Sequence, residues 1–156
     1  MNDGRYFYLS ARNSFNKKGD YFMENWKALA NLIGRILLVL IFLQSGIGKV
    51  GNFEGTAKYM ASHGMPLPTL FLIGAIFFEL VGSITVITGY FTRVGVLLLI
   101  IFLIPTTLIF HTNFADRIQM IMFMKNVSMF GGCLILLAAG AGRFSLDHLL
   151  REKKRG

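Results

Sequence analysis

One cysteine and eight acidic residues among 156 positions remove several chemistries at once. A single thiol, Cys133, allows no disulfide within the chain, no CxxC dithiol and no thiolate metal cluster. Set in an apolar run, it reads as a small packing residue. Charged residues make up only 15% of the chain and crowd its two ends, where an ordinary soluble domain carries about 25%. The net charge of +8 does not point to nucleic acid. The basic residues flank apolar runs, the pattern of cytoplasmic membrane borders. Histidine is scarce too. A haem between two histidines is not expected, because His63 falls in a loop and His148 in the C-terminal tail. His63 and His111 face the same side but lack an evident third ligand, so no metal site is expected. There is no phosphate loop and no nucleophile motif. A cleavable signal peptide is not expected either: the first apolar run, from Ala28, is too long for one and lacks a small-x-small cleavage site.

What the chain has in quantity is apolar sequence, at 54% of residues. A helix crossing the hydrocarbon layer needs roughly 20 such residues, and four runs supply them: 28–48, 70–90, 94–110 and 118–142. They are continuous and do not alternate, which excludes a β-barrel. The expected fold is all-α, an integral membrane four-helix bundle filling one domain, 28–142. The punctuation between the runs fits, with Gly64-Met65-Pro66-Leu67-Pro68 opening the second span and Gly89–Arg93 turning tightly into the third. Residues 56–63 read as a short interfacial helix between the first two spans. Pro105 should kink the third, with Thr106 and Thr107 able to satisfy the freed backbone groups.

Orientation follows from the basic residues. Eleven Lys and Arg, among them Arg5, Lys27, Arg93, Arg143 and Lys154, fall on one side, and only Lys49, Lys58 and Arg117 on the other. The positive-inside rule then places both termini in the cytoplasm. Residues 1–27, basic and aromatic, suit a segment lying on an anionic membrane surface or a disordered tail. Residues 143–156 form a basic amphipathic tail with a short surface helix around Leu146, Leu149 and Leu150.

Arg35, Glu79 and Lys125 each sit alone in a different apolar run. A charge at membrane depth is costly, so it is expected to pair, snorkel or do chemistry. At about 1.5 Å per residue, Arg35 lies roughly 10 Å and Glu79 roughly 14–16 Å from the cytoplasmic border, close enough to expect an ion pair. Gln44, Lys49, His111 and Asn126 project to the outer half with Lys125. Together they sketch a polar stripe with one excess positive charge, suited to an anion or an electron-rich head group. The other reading is a polar network that only locks the bundle. Gly74, Gly82, Gly89, Gly131 and Gly132 suit close helix approach, and a homodimer is compatible with such faces.

Several stretches taken together resemble the DoxX family. They are Gly34-Arg35, Gln44-Ser45-Gly46-Ile47-Gly48-Lys49, Gly64–Pro68, Glu79-Leu80-Val81-Gly82, Gly89–Arg93, His111, Lys125-Asn126 and Gly142–Asp147. The match runs from about Leu29 to Leu149, leaving 1–27 outside it. The resemblance implies a four-helix inner-membrane protein, of a family in which some members are subunits of thiosulfate:quinone oxidoreductase. Others are associated with membrane redox and oxidative-stress complexes. Its polar positions map to Arg35, Lys49, Glu79, His111, Lys125 and Asn126.

The leading expectation is therefore a membrane redox component, a quinone-interacting oxidoreductase subunit of the thiosulfate:quinone type or a related one. Quinone is the expected cofactor. Lys125 and His111 would donate to its carbonyls and Glu79 would relay a proton. Arg35, Gln44, Lys49 and Asn126 would line the site. Electrons would come from a redox protein partner or from a small anionic substrate. The rival is a non-catalytic membrane anchor or assembly partner of a redox or metal-handling enzyme. A small transporter is a third reading, without visible inverted repeats.

Overall fold

Long apolar runs without internal breakers have one low-energy solution in lipid, the helix, because every backbone group must then bond within its own segment. The computed structural model describes residues 3–156, with side chains from Tyr21 onward. It is all-helical: α1 (Asp3–Gly51), α2 (Phe53–Ser62), α3 (Pro68–Thr88), α4 (Thr92–Phe110), α5 (Arg117–Ala139) and α6 (Leu146–Lys153). Four helices are long and apolar enough to cross a membrane: Tyr21–Gly51 within α1, then α3, α4 and α5. The fourth ends three residues short of the expected 142, because Gly140 turns with a φ of 73°. Pro68 stands in the first turn of α3, where its missing N–H costs nothing. Asp116 caps α5 by accepting from the Ile118 amide at 2.8 Å.

The bundle is a ring in the order α1, α3, α4, α5, with α1 facing α4 and α3 facing α5 across the diagonals. Four spans bring both ends of the chain to the same end of the bundle. In lipid, helices gain little from burying apolar surface against one another, so close packing of small residues holds them. Gly82 and Gly95 do this between α3 and α4, where a Cβ on Gly82 would lie 3.0 Å from the Gly95 carbonyl. Gly132 does it between α5 and α1, with its would-be Cβ 2.9 Å from Leu38 Cδ1. Gly74 and Gly131, by contrast, have no neighbour within 4 Å, and Gly89 is a turn residue. Val39, Phe42, Val86, Leu99, Phe102 and Leu136 form the centre.

Backbone from Asp3 runs unbroken into the first span, so residues 3–27 are helix continuous with α1. The surface role read for segment 1–27 rests mostly on side chains outside the described residues. The short helix between the first two spans is α2, and the helix of the tail is α6, starting at Leu146 behind a Ser145 cap. Pro105 lies inside a continuous α4. Thr107 does not serve the carbonyl that Pro105 leaves free. Its hydroxyl donates to the Leu103 carbonyl at 2.6 Å and accepts from Asn126 Nδ2 at 2.9 Å.

Candidate functional site

Side chains on a helix lean toward its N-terminus, and this decides where the charges on α1 go. Lys49, in the last turn of α1, leans back into the bundle. Its Nζ donates to Ser45 Oγ at 2.6 Å, one turn earlier, and reaches Glu79 Oε1 at 3.0 Å and Oε2 at 2.9 Å. The same ammonium lies 5.3 Å from the centre of the Phe102 ring, a cation–π distance. Gly46 makes the meeting possible: a Cβ there would stand 2.8 Å from Leu80 Cδ2 and 3.3 Å from Glu79 Cβ. The run Ser45-Gly46-x-x-Lys49 thus carries a hydroxyl, a gap and a cation, all aimed at one carboxylate on α3.

Arg35 leans the same way, and from its position near the start of the span this takes it toward the end that holds the termini. The ion pair with Glu79 expected from depth alone does not form. Arg35 Nη2 instead donates to the Phe144 carbonyl at 2.5 Å. Around it the segment after α5 is clamped to the turn between α3 and α4. Asn31 donates to the Gly140 carbonyl at 3.2 Å, and the Asp147 amide to the Gly89 carbonyl at 2.9 Å. The Asp147 carboxylate accepts from the amides of Phe91 and Thr92 at 3.0 and 3.3 Å, opening α4. Arg35 is therefore a buried structural cation at 1% exposure, one end of a clamp and no part of the cavity below.

The Lys49–Glu79 pair closes one end of a cavity of about 750 Å³ on the side away from the termini. Its walls bring together Glu79, Lys49, His111, Lys125 and Asn126. Gln44 stays out, exposed on the far side of α1. Asn126 is fixed by Thr107. Lys125 is half-buried, and its Nζ lies 3.2 Å from Met122 Sδ, a weak acceptor. Among the described residues no carboxylate stands within ion-pair distance of it. With Lys49 and Glu79 offsetting each other, the walls keep one net positive charge. His111 Nδ1 lies 2.7 Å from Gln119 Oε1 at the rim.

Ser45 and Tyr59 were not singled out from sequence, and His63 was weighed only as a metal partner of His111. Ser45 is legible in retrospect, one helical turn before Lys49. The place of Tyr59 and His63 is not, because they reach the cavity from α2 and its C-cap, a segment that folds over it as a roof. Tyr59 stacks on Phe110 at 5.7 Å, and His63 meets the same ring at 5.3 Å. The His63–His111 pair has no third ligand: among the described residues no group of three His, Cys, Asp or Glu side chains could hold a metal.

Comparison with known proteins fits this architecture. The family model described as DoxX matches residues 30–112. The inner membrane protein YqjF of Escherichia coli K12 is 36% identical over 134 residues, covering 84% of this chain and 99% of its own length. The inner membrane protein YphA of the same organism is 42% identical over 122 residues, 75% of this chain and 87% of its own. A shorter match, 37% over 70 residues, joins 44% of this chain to 51% of a Bacillus subtilis protein named Putative oxidoreductase CatD. No solved structure matches. A family match over more than half the chain, with two relatives aligned over most of their length, makes this four-span membrane protein a member of the DoxX family.

Proposed function

We propose that this chain is a membrane redox component whose cavity receives a quinone head group. The observation that carries the reading is Lys125, a cation at membrane depth without a carboxylate partner, facing a cavity that ends in a buried ion pair. Such a cation is kept where something binds or reacts. The cavity volume lies within the roughly 300–1,000 Å³ of small-molecule sites, and its walls are mostly apolar with a few convergent polar groups. Reduction of a quinone to the quinol consumes two electrons and two protons. This chain supplies the proton side. Lys125 and Asn126 offer donors to a carbonyl oxygen, His111 stands at the rim, and Glu79 can take up or release a proton through Lys49. Electrons come from a redox protein partner or a small reducing anion. The relative named as an oxidoreductase supports the class of reaction. Both termini are placed in the cytoplasm and the cavity mouth in the opposite leaflet of the inner membrane, following the distribution of basic residues.

The test is mass spectrometry of solvent extracts from protein purified in native-lipid particles. Wild type should carry near-stoichiometric quinone, and Lys125→Ala should lose most of it, about tenfold or more, for one lost charge-assisted bond. Glu79→Gln should keep the quinone but fail to turn it over in a reconstituted complex, with normal membrane yield. No quinone in either protein sinks the proposal and favours the anchor reading.

A further inference from the structure

The cavity has two sides on which a ligand could arrive, and they are built differently. Toward the water, α2 lies across it, and the Tyr59–Phe110 and His63–Phe110 contacts tie that roof to the end of α4. Toward the lipid, α3 and α4 line the cavity with residues that are themselves exposed. The two helices are in contact at Gly82 and Gly95, where an added Cβ would meet the opposing backbone at 3.0 and 2.9 Å. Two turns away Gly74 lines the cavity with nothing within 4 Å. Along this stretch the wall is made of Phe71 from α3 and Ile101, Pro105 and Ile109 from α4, all exposed on the surface that faces lipid. A wall residue that is also a surface residue marks an opening. The opening here is an apolar slot between two membrane helices, leading inward to Glu79 and Lys125.

Resting on the quinone reading above, we infer that the ligand is a long-tailed amphiphile that arrives from the bilayer through the α3–α4 slot and leaves its tail there. Three features agree on this class. The slot is apolar and continuous with the lipid-facing surface, which suits a hydrocarbon or isoprenoid chain. Glu79 and Lys49 lie at the inner end with Lys125 and Asn126 beside the cavity, while His111, Tyr59 and His63 stand at the rim and roof, which suits a compact head carrying acceptor oxygens. On the water side the wall residues Tyr59 and His63 are also exposed, so it is the apolar lining of the slot, and no closed roof, that selects a long-tailed ligand. Gly74 lines the slot, and a large side chain there has open space to occupy.

The test compares two benzoquinone probes, one with a long isoprenoid tail and one with a single isoprene unit, on full-length protein in lipid nanodiscs. Three proteins are measured: wild type, Gly74→Trp, and Ile84→Trp as a bulk control at an exposed position of α3 away from the cavity. Wild type and Ile84→Trp should bind both probes. Gly74→Trp should bind the long-tailed probe at least about tenfold more weakly, about 1.4 kcal/mol, and the short one nearly as well as wild type. Undiminished long-tail binding in Gly74→Trp overturns the slot, as does equal loss of both probes in a protein that melts normally. If wild type binds neither probe, the quinone reading itself has failed and the slot proposal falls with it. A benzophenone side chain at Ile109 gives a second readout that does not need Gly74→Trp to fold. It should capture the long-tailed probe, whereas the same group at Ile84 should not, and equal capture at both positions also overturns the slot.

Discussion

Lys49→Met should destabilise the bundle by about 3–5 kcal/mol, the range for breaking a buried ion pair from one side. The cost comes from what is left behind. Glu79 is 1% exposed and Lys49 20%, so a stranded carboxylate has almost no access to water. The reverse lesion is milder. In Glu79→Gln the ammonium keeps Ser45 Oγ and faces the cavity, and the expected loss is about 1–2 kcal/mol. The double variant Lys49→Met/Glu79→Gln removes both charges and should recover much of the single loss, since no unpaired charge remains. Unfolding by a denaturing detergent in mixed micelles measures all three. If Lys49→Met stays within about 1 kcal/mol of wild type, the pair contributes little. If the double variant is as weak as Lys49→Met, the explanation by a stranded charge is wrong.

Gly89→Ala should loosen the other end of the molecule. Gly89 has a φ of 70°, and a Cβ there would collide with both Arg35 Nη1 and Ser145 Cβ, with Ser145 Cα at 2.9 Å. The left-handed backbone costs alanine roughly 1–2 kcal/mol by itself. The collision adds more, because Ser145 belongs to the docked segment and can relieve it only by moving away. Moving it breaks the Arg35–Phe144 and Asp147–Phe91 bonds as well. A total on the order of 3 kcal/mol is expected, together with faster tryptic cleavage after Arg143 in detergent. Unchanged cleavage and an unchanged melting temperature would show that the clamp does not hold the segment down.

Much of this was legible in the chain. Continuous apolar runs specify membrane helices whatever their neighbours, and Pro68 and Gly89 mark helix ends for reasons local to the backbone, whereas the end of the fourth span at Gly140 was missed because apolar sequence continues past it. Depth counted along each run also grouped Lys49, His111, Lys125 and Asn126, which do line one cavity, because the helical rise is the same in every span. The pairing of Glu79 was not legible in that way. Counting residues places Cα atoms, whereas Lys49 and Arg35 are long side chains that reach along the helix axis before meeting anything. Fourteen residues apart on one helix, they lean in the same direction, and this takes one into the bundle toward Glu79 and the other away from it. Gln44 shows the same limit around the axis: its depth fits the cluster, but its face does not. The roof made by α2 and the clamp made by residues 140–147 join segments distant in sequence, and no periodicity announces such contacts.

The clamp also has a bearing on how the molecule is made. The acceptor for Arg35 is a carbonyl 109 residues further along the chain. Arg35 therefore enters the membrane long before Phe144 has been synthesised, and in the meantime it must reach the lipid head groups for shelter. The clamp on the first span, through Asn31 and Arg35, can therefore form only after the fourth span has been made. A C-terminal fusion that delays or blocks docking of Gly142–Asp147 would hold the nascent protein at this stage with its other spans inserted. Docking of Gly142–Asp147 is thus a late step in the making of this small protein, and until it happens Arg35 depends on the head groups.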